Sequence, residues 1–194
     1  KKNIIDLLAN LLNTITLNHI NTYNNSTLGE HMDGFVYKTK VKDFEKVITF
    51  GDFHGSYHTF FRHMIRLETL DILKFESSES SDSIDNIEKL VKKLKRNPTP
   101  DKLDLNNLPK IKIIDGYRLL FLGDILDRGK HALEIVIFIL ILIWSNNEKG
   151  EEPKIIYNRG NHEEDEQFER YGFLEEFEEK IGSKNSLHSK RSEY

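Results

Sequence analysis

The sequence predicts an α/β fold, because one pattern occurs three times along it: a short apolar strand, a polar turn and a helix. The strands predicted at 47–50, 119–122 and 154–157 lead into the turns GDFHG, GDILDRG and RGNHE. Ligands of α/β sheets bind in the crevice beyond the carboxyl ends of the strands. We therefore expect the three turns to converge on one site.

Composition limits the classes of function that need considering. The 194 residues are 38% hydrophobic and 31% charged, which is typical of one soluble globular domain. A formal net charge of -4 provides no general field for nucleic acid or an anionic membrane, so neither is an expected partner. Because cysteine is absent, any metal must be held by His, Asp, Glu or Asn.

The N-terminal region, 1–46, is predicted to be a helical extension followed by a connector. Apolar residues between Ile4 and Ile15 recur at helical spacing and predict an amphipathic helix that packs on its own domain. A partner-binding helix is the alternative. Residues 21–34 are polar and rich in turn formers, as in a connector. The chain begins with Lys1, which suggests a processed, trimmed or partial chain.

A helix is predicted at 56–67, and the character of the sequence changes after it. The stretch 75–110 combines a low-complexity run, a short basic helix and a loop rich in helix breakers. It is interpreted as a surface insertion whose role stays open. A strand is then predicted at 111–114, and Asp115-Gly116 predicts a hairpin between it and the next strand.

The apolar run Ile135–Trp144 is the most membrane-like part of the chain. It falls well short of the roughly 20 residues that a spanning helix needs, so a buried helix is predicted. The compartment stays open, with a cytoplasmic location favoured because no signal peptide or spanning segment is recognisable. A last helix is predicted after Tyr171, and 183–194 is predicted to be a polar tail.

The first two turns carry groups that can hold a cation. Asp52 and His54 alternate across Phe53, so both project to one side of an extended stretch and can hold the same ion. Asp124 and Asp127 follow a buried strand, where two carboxylates are costly without a positive neighbour. Arg128 or a metal ion could be that neighbour, and one acid could instead orient a nearby side chain.

Together the three turns indicate metal-assisted phosphoester hydrolysis. His162 is placed to protonate a leaving alkoxide, Asp127 could hold its imidazole in the required tautomer, and Arg128 offers a planar fork for phosphate oxygens. A metal pair about 3.5–4 Å apart would clamp the attacking and leaving oxygens and make hydroxide available near neutral pH. The oxygen and nitrogen donors that suit Mn, Fe or Zn are those of Asp52, His54, Asp124 and Asn161.

In this order, GDFHG, GDILDRG and RGNHE resemble the three signatures of the calcineurin-like metallophosphoesterases. The DRG context, and YGF beginning eight residues after Glu163, are similar to the phosphoprotein phosphatase family of Ser/Thr phosphatases. The resemblance covers about 47–176, interrupted by the insertion. It implies a metallophosphoesterase-type β-sandwich flanked by helices, of which 47–182 would form the N-terminal half.

The resemblance also implies a role for each matching residue. Two divalent ions, Mn being favoured over Fe or Zn, would be held by Asp52, His54 and Asp124 and by Asp124 and Asn161. His162 would be the general acid and Asp127 its catalytic partner while metal-bound hydroxide attacks phosphorus. Arg128 and Asn161 would contact the substrate phosphate.

The resemblance leaves three hypotheses. The family completes its site with two later histidines and a later arginine, which should lie in a region beyond Tyr194. A Ser/Thr phosphatase acting on phosphoproteins is the first hypothesis, and a dinucleoside polyphosphate hydrolase of the same superfamily is the second. The third is a truncated, inactive relative that binds partners without turnover. The oligomeric state is not predicted.

Overall fold

The computed structural model describes residues 2–25, 32–33, 36–37, 40–76, 108, 110–148 and 150–180. The helix predicted within the insertion and the predicted tail lie outside these residues. The helices are α1 (Lys2–Asn25), α2 (Tyr57–Thr69), α3 (Ala132–Asn146), α4 (Asp165–Arg170) and α5 (Phe173–Lys180), with a 3-10 turn at Asn161–Glu163. The strands are β1 (Met32–Asp33), β2 (Val36–Tyr37), β3 (Lys46–Phe50), β4 (Leu73–Glu76), β5 (Lys110–Ile113), β6 (Tyr117–Phe121) and β7 (Ile155–Tyr157).

A parallel sheet of the order β3-β6-β7 positions the three turns. Phe50 is paired with Phe121, and Phe121 with Tyr157, so the three strands end in one row. The turns after these strands therefore leave the sheet at the same edge. The α/β class predicted from the strand–turn–helix repeat is confirmed, with β6 as the central strand.

Phenylalanine rings join this sheet to its helices. Phe50 of β3 and Phe121 of β6 are stacked, with their ring centroids 5.0 Å apart. Phe60 of α2 contacts Phe138 of α3 edge-on at 5.3 Å, and it lies 6.4 Å from Phe121. Such pairs contribute roughly 0.5–1.5 kcal/mol each beyond the area they bury. The row of strand ends is thus held from below by a packed aromatic core.

Helix α3 contains the membrane-like run and is buried on most of its surface, as predicted. It packs against α1, α2, α5, β5 and β7. Leu11 of α1 is fully buried in the same core, so the N-terminal helix packs on its own domain, although it is longer than the 4–15 spacing predicted. No helix in the described ranges has both the length and the apolar character needed to cross a bilayer.

The predicted hairpin between the strands that flank Asp115-Gly116 is wrong. Strand β5 pairs antiparallel with β4, whereas β6 lies between β3 and β7 in the other sheet. The second edge of β5 is occupied by side chains from the end of α3: Asn146 accepts the Ile113 N–H at 2.8 Å, and Ser145 accepts the Ile111 N–H at 3.3 Å. With both edges satisfied, β5 has no backbone groups left to pair with β6.

The strand pair β4–β5 also fixes where the predicted insertion leaves the core. Glu76 is paired with Lys110, so the ends of the intervening segment are adjacent. Phe75 and Glu76 at one end of the predicted 75–110 insertion, and Lys110 at the other, lie in strands. The core therefore extends a short way into the region that the sequence assigns to the surface.

A buried arginine anchors the start of the central strand. The Arg118 side chain is 3% exposed, and its Nη2 lies 2.8 Å from Oε2 of Glu45. The same Glu45 oxygen accepts the Lys42 backbone N–H at 2.8 Å. That backbone bond, together with the bond and charge of Arg118, holds the pKa of Glu45 below its ordinary value, although partial burial opposes the shift.

We expect Glu45→Gln to destabilise the protein more at about pH 7 than in acid. A carboxyl whose pKa is depressed in the folded state contributes stability above its unfolded pKa of about 4.3, and that contribution is lost as the pH falls through the folded value. Urea unfolding of both proteins at about pH 7 and about pH 2 measures the difference. Exposed Glu151→Gln is the control. A difference that does not depend on pH would contradict the assignment.

Candidate functional site

Backbone hydrogen bonds join the first two turns directly. The N–H groups of Phe53 and His54 both donate to the Asp124 carbonyl at 3.0 Å. Gly55 donates to the Ile125 carbonyl at 2.8 Å, and Gly129 returns a bond to the His54 carbonyl at 2.9 Å. The convergence predicted from the three strand ends therefore rests on main-chain contacts, which do not depend on a bound ion.

Asp52, His54 and Asp124 come together as predicted. Each offers a ligand atom, and these atoms lie within 4.8 Å of one another. Nε2 of His54 is 3.8 Å from Oδ2 of Asp52, while its Nδ1 lies 3.0 Å from the Leu126 carbonyl. Because a carbonyl can only accept, Nδ1 carries the proton and the Nε2 lone pair is free for a metal. Two carboxylates and one imidazole fit a divalent cation with hard or borderline character.

Asp124 is the central member of this group because it follows the central strand. Its Oδ1 accepts the His162 backbone N–H at 2.9 Å, which joins the second turn to the third. Asn161, the predicted fourth ligand, is exposed at the start of the 3-10 turn and directly precedes His162. Asp124 is the residue expected to contact both metal ions. It follows the central strand β6, whereas Asp52 follows β3 on one side and Asn161 follows β7 on the other.

His162 and Asp127 form a buried pair next to the candidate cation ligands. Nδ1 of His162 lies 2.8 Å from Oδ2 of Asp127, and both side chains are almost fully buried. Asp127 uses its other oxygen to accept the Phe173 backbone N–H at 3.0 Å. The His162 ring meets the His54 ring edge-on at 4.6 Å. With Nδ1–H donated to the carboxylate, Nε2 is the nitrogen available for proton transfer.

Arg128 is exposed beside this pair. Its Nη2 lies 3.4 Å from Nε2 of His162, which places a guanidinium next to the nitrogen that can exchange a proton. Its backbone N–H donates to the Tyr171 carbonyl at 3.1 Å. The predicted phosphate contact therefore has an accessible fork of donors at the site.

Backbone strain is concentrated at these residues. Among the non-glycine residues that the structure describes, five have positive φ: His54, Asp71, Asp124, Asp127 and Arg128. All except Asp71 belong to the site. A left-handed conformation costs roughly 1–3 kcal/mol at a non-glycine residue and persists only where the surroundings impose it. The first and second turns thus hold these four residues in backbone conformations that an unconstrained chain would avoid.

Glu163 is a site residue that the sequence reasoning missed. Its Oε2 accepts the N–H groups of Asp124 and Gly160, each at 2.8 Å. Its Oε1 accepts those of Ile125 at 2.8 Å and Leu126 at 3.3 Å. One carboxylate therefore joins the second turn to the third through four backbone donors. The sequence shows only an acid beside a histidine, whereas the partners are main-chain groups up to 39 residues away.

Tyr157, the last residue of β7, contacts the same carboxylate from the strand side. Burial raises the pKa of the Tyr157 phenol, and the charge of Glu163 and the hydrogen bond with it raise it further, with a smaller effect of Asp124. The phenol therefore stays protonated and can donate to Glu163.

Glycine is required where the second and third turns meet. A Cβ on Gly160 would collide with the backbone nitrogen and the Oδ1 of Asp124. A Cβ on Gly123, which has φ of 103°, would collide with the Gly160 backbone. This close approach is what allows Glu163 to reach donors on both turns.

The model of the calcineurin-like phosphoesterase family matches residues 45–190. The chain belongs to the calcineurin-like phosphoesterase family. The family resemblance indicated by the three motifs is confirmed, and so is the mixed α/β fold class. The family implies divalent metal ions, and the Asp52–His54–Asp124 group could hold one.

Two similar proteins are Ser/Thr phosphatases by name. A 61-residue stretch is 41% identical to the serine/threonine-protein phosphatase rdgC of Drosophila melanogaster and covers 31% of this chain and 8% of that protein. A solved Ser/Thr phosphatase from Saccharomyces cerevisiae, described as similar to human phosphatase PP5, is 19% identical with a TM-score of 0.42. The match covers 90% of this chain and 38% of that structure. The chain thus spans well under half of the relatives it matches.

We expect Glu163→Gln to weaken Mn²⁺ binding by about 10- to 100-fold, the usual cost of losing a group that orients metal ligands. The Gln side chain keeps only one acceptor oxygen, so some of the four backbone N–H groups that donate to Glu163 lose their partner. Isothermal titration calorimetry measures the affinity. Glu164→Gln is the matched control, because Glu164 is exposed and pairs only with exposed Arg159 at 3.3 Å among the ion pairs described. Equal affinity of the two variants would refute a role for Glu163 in ligand orientation.

Proposed function

We propose that this chain is the N-terminal part of a metal-dependent Ser/Thr phosphatase that hydrolyses phosphoester bonds in proteins. The observation that carries the proposal is that a candidate cation site and a buried His–Asp pair lie side by side. Asp52, His54 and Asp124 offer ligand atoms within 4.8 Å, and the His162–Asp127 pair lies beside them with the His54 and His162 rings 4.6 Å apart. A cation site next to a buried proton donor is the combination that phosphoester hydrolysis requires.

The ligand set supports two divalent ions, with Mn²⁺ favoured. Asp52, His54 and Asp124 would hold one ion, and Asp124 with Asn161 would contribute to the second. When bound, such ions neutralise charge on phosphoryl oxygens and lower the pKa of water. The turn geometry keeps the ligand side chains of the described region together before any ion arrives.

His162 supplies the proton for the leaving alkoxide in this proposal. Asp127 is fully buried, and its carboxylate lies 2.8 Å from Nδ1 of His162, which leaves Nε2, 3.4 Å from Nη2 of exposed Arg128, as the nitrogen for proton transfer. The Asp127 carboxylate fixes the tautomer and the orientation of the imidazole that would donate the proton. As the alkoxide departs, the proton moves from Nε2 to its oxygen, and the neutral imidazole keeps its bond to Asp127.

Arg128 and Asn161 are the proposed phosphate contacts. The Arg128 fork lies next to Nε2 of His162, so a phosphate that accepts from Arg128 would place its ester oxygen near the proton donor. Asn161 is exposed on the adjoining turn. The likeness to a Ser/Thr phosphatase by name, together with the YGF stretch, supports a phosphoprotein substrate over a nucleotide.

We expect the full-length protein, of which this chain would be the N-terminal part, to hydrolyse a phosphoserine peptide with Mn²⁺. His162→Ala should lower its kcat by about 10²- to 10⁴-fold, the usual contribution of a general acid. Asp127→Asn should lower it comparably, because the imidazole loses its orienting charge. Phosphate release from the peptide measures both effects. His58→Ala is the matched control, since His58 is exposed on α2.

The same assay separates the other assignments. Hydrolysis of a dinucleoside tetraphosphate without action on the phosphopeptide would replace the protein substrate with a nucleotide. Phosphopeptide binding without turnover at any Mn²⁺ concentration would indicate a binding protein. Turnover that is unaffected by His162→Ala would overturn the proton-transfer role.

A further inference from the structure

We propose that residues 171–180, the YGF stretch and helix α5, position the Asp127–His162 pair and Arg128, and that a buried cluster of Glu134, Glu176 and Lys180 fixes this segment in place. The inference deepens the proposed function, because it assigns residues that act on the reaction through Asp127. Neither Glu176 nor Lys180 touches the predicted ligands or proton donor. They are therefore positioning residues.

The front of the 171–180 segment contacts the second turn through its main chain. The Phe173 N–H donates to Oδ1 of Asp127 at 3.0 Å, and the Tyr171 carbonyl accepts the Arg128 N–H at 3.1 Å. Asp127 and Arg128 are adjacent and both have positive φ. Two bonds from one segment thus hold the two strained residues whose side chains face the site.

The Tyr171 ring adds a third contact. It meets the His162 ring edge-on, with centroids 5.2 Å apart. The 171–180 segment therefore contacts Arg128, Asp127 and His162. The Tyr171 carbonyl accepts from Arg128, the Phe173 N–H donates to Asp127, and the Tyr171 ring packs against His162.

The rear of the segment is fixed to the start of α3, which follows the same turn. The Glu176 carboxylate accepts the N–H of Ala132 at 3.1 Å and that of Leu133 at 3.0 Å. These are first-turn amides that have no partner within α3 itself, and the positive end of the helix favours the carboxylate. Glu176 is nearly fully buried, so this capping bond is shielded from water.

Lys180 completes the anchor. Its Nζ lies 2.7 Å from Oε1 of Glu176 and 2.6 Å from Oε2 of Glu134, and it also donates to the Lys130 carbonyl. Both carboxylates are only 4% exposed. Two buried acids that share one ammonium both lose a charge partner when that ammonium is removed, which destabilises the cluster.

Geometry therefore connects the cluster to the chemistry in two steps. Glu176 and Lys180 fix α5 against the first turn of α3, and α5 presents the Phe173 amide to Asp127. Displacing a reacting group by about 1 Å can cost on the order of 10²-fold in rate. Because the 171–180 segment is bonded both to Asp127 and Arg128 and to the start of α3, it limits such displacement.

The test compares Glu176→Gln with Glu179→Gln, the same change at an exposed position of the same helix. Amide exchange measured by NMR reports on the bonds directly, without any need for activity. We expect Glu176→Gln to speed exchange of the Phe173 and Arg128 amides by about tenfold or more, while Leu119 in the central strand keeps its protection. Glu179→Gln should change none of the three.

The kinetic arm uses the Mn²⁺ phosphopeptide assay. Glu176→Gln should lower kcat by about 10- to 100-fold, because the Asp127–His162 pair is displaced, and should also raise KM, because the same segment holds Arg128, the proposed phosphate contact. Lys180→Met should reproduce both effects, and Lys180→Arg should restore most of the protection. Unchanged exchange at Phe173 in Glu176→Gln would overturn the proposal, as would an equal loss of protection at Leu119, which indicates a purely structural role. If the wild type shows no turnover, the proposed function fails while the exchange result still decides the positioning role.

Discussion

The arrangement of the site depends most on the hydrogen bonds that the Glu163 carboxylate accepts from backbone N–H groups. Parallel strands bring three turns to one edge of the sheet, but each turn leaves that edge with unpaired backbone N–H groups. Three of these, on Asp124, Ile125 and Leu126 of the second turn, donate to Glu163, and a fourth, on Gly160, donates from Glu163's own turn. A half-buried carboxylate without donors would be costly, and unpaired amides would be costly as well. Each side therefore satisfies the other, and the two turns become one rigid unit.

That unit carries strain that a lone turn could not hold. The left-handed conformations at Asp124, Asp127 and Arg128 lie between two sets of fixed contacts: the first turn and Glu163 on one side, and residues 171–180 on the other. Glycines at 123 and 160 let the backbones approach closely enough for these contacts to form. The predicted ligand and proton-transfer residues thus have their backbones pre-organised by main-chain bonding, which would reduce the cost of ordering them on binding an ion or phosphate.

Sequence reasoning predicted the parts of this site that depend on local pattern. Apolar runs that end in Gly-Asp or Arg-Gly-Asn located the strand ends, and the parallel sheet then brought Asp52, His54, Asp124, Asp127 and His162 together.

Sequence reasoning failed where the deciding partner is remote. The Asp115-Gly116 turn favours a hairpin, yet Asn146 and Ser145 of α3 satisfy the edge of β5. Likewise, Glu163 and Glu176 each accept hydrogen bonds from backbone N–H groups in distant segments. Such bonds cannot be predicted from the pattern of side chains, because every residue except proline has the same backbone donor.

The pairing of Glu76 with Lys110 makes the active site insensitive to the length of chain between the first two motifs. Since β4 and β5 hold Glu76 and Lys110 side by side, the two ends of the connection stay together, and a longer connection costs additional closure entropy. That entropy grows slowly with length, by about 0.6 kcal/mol for each doubling. In this family member, the distance in sequence between Asp52 and Asp124 is set independently of their distance in space.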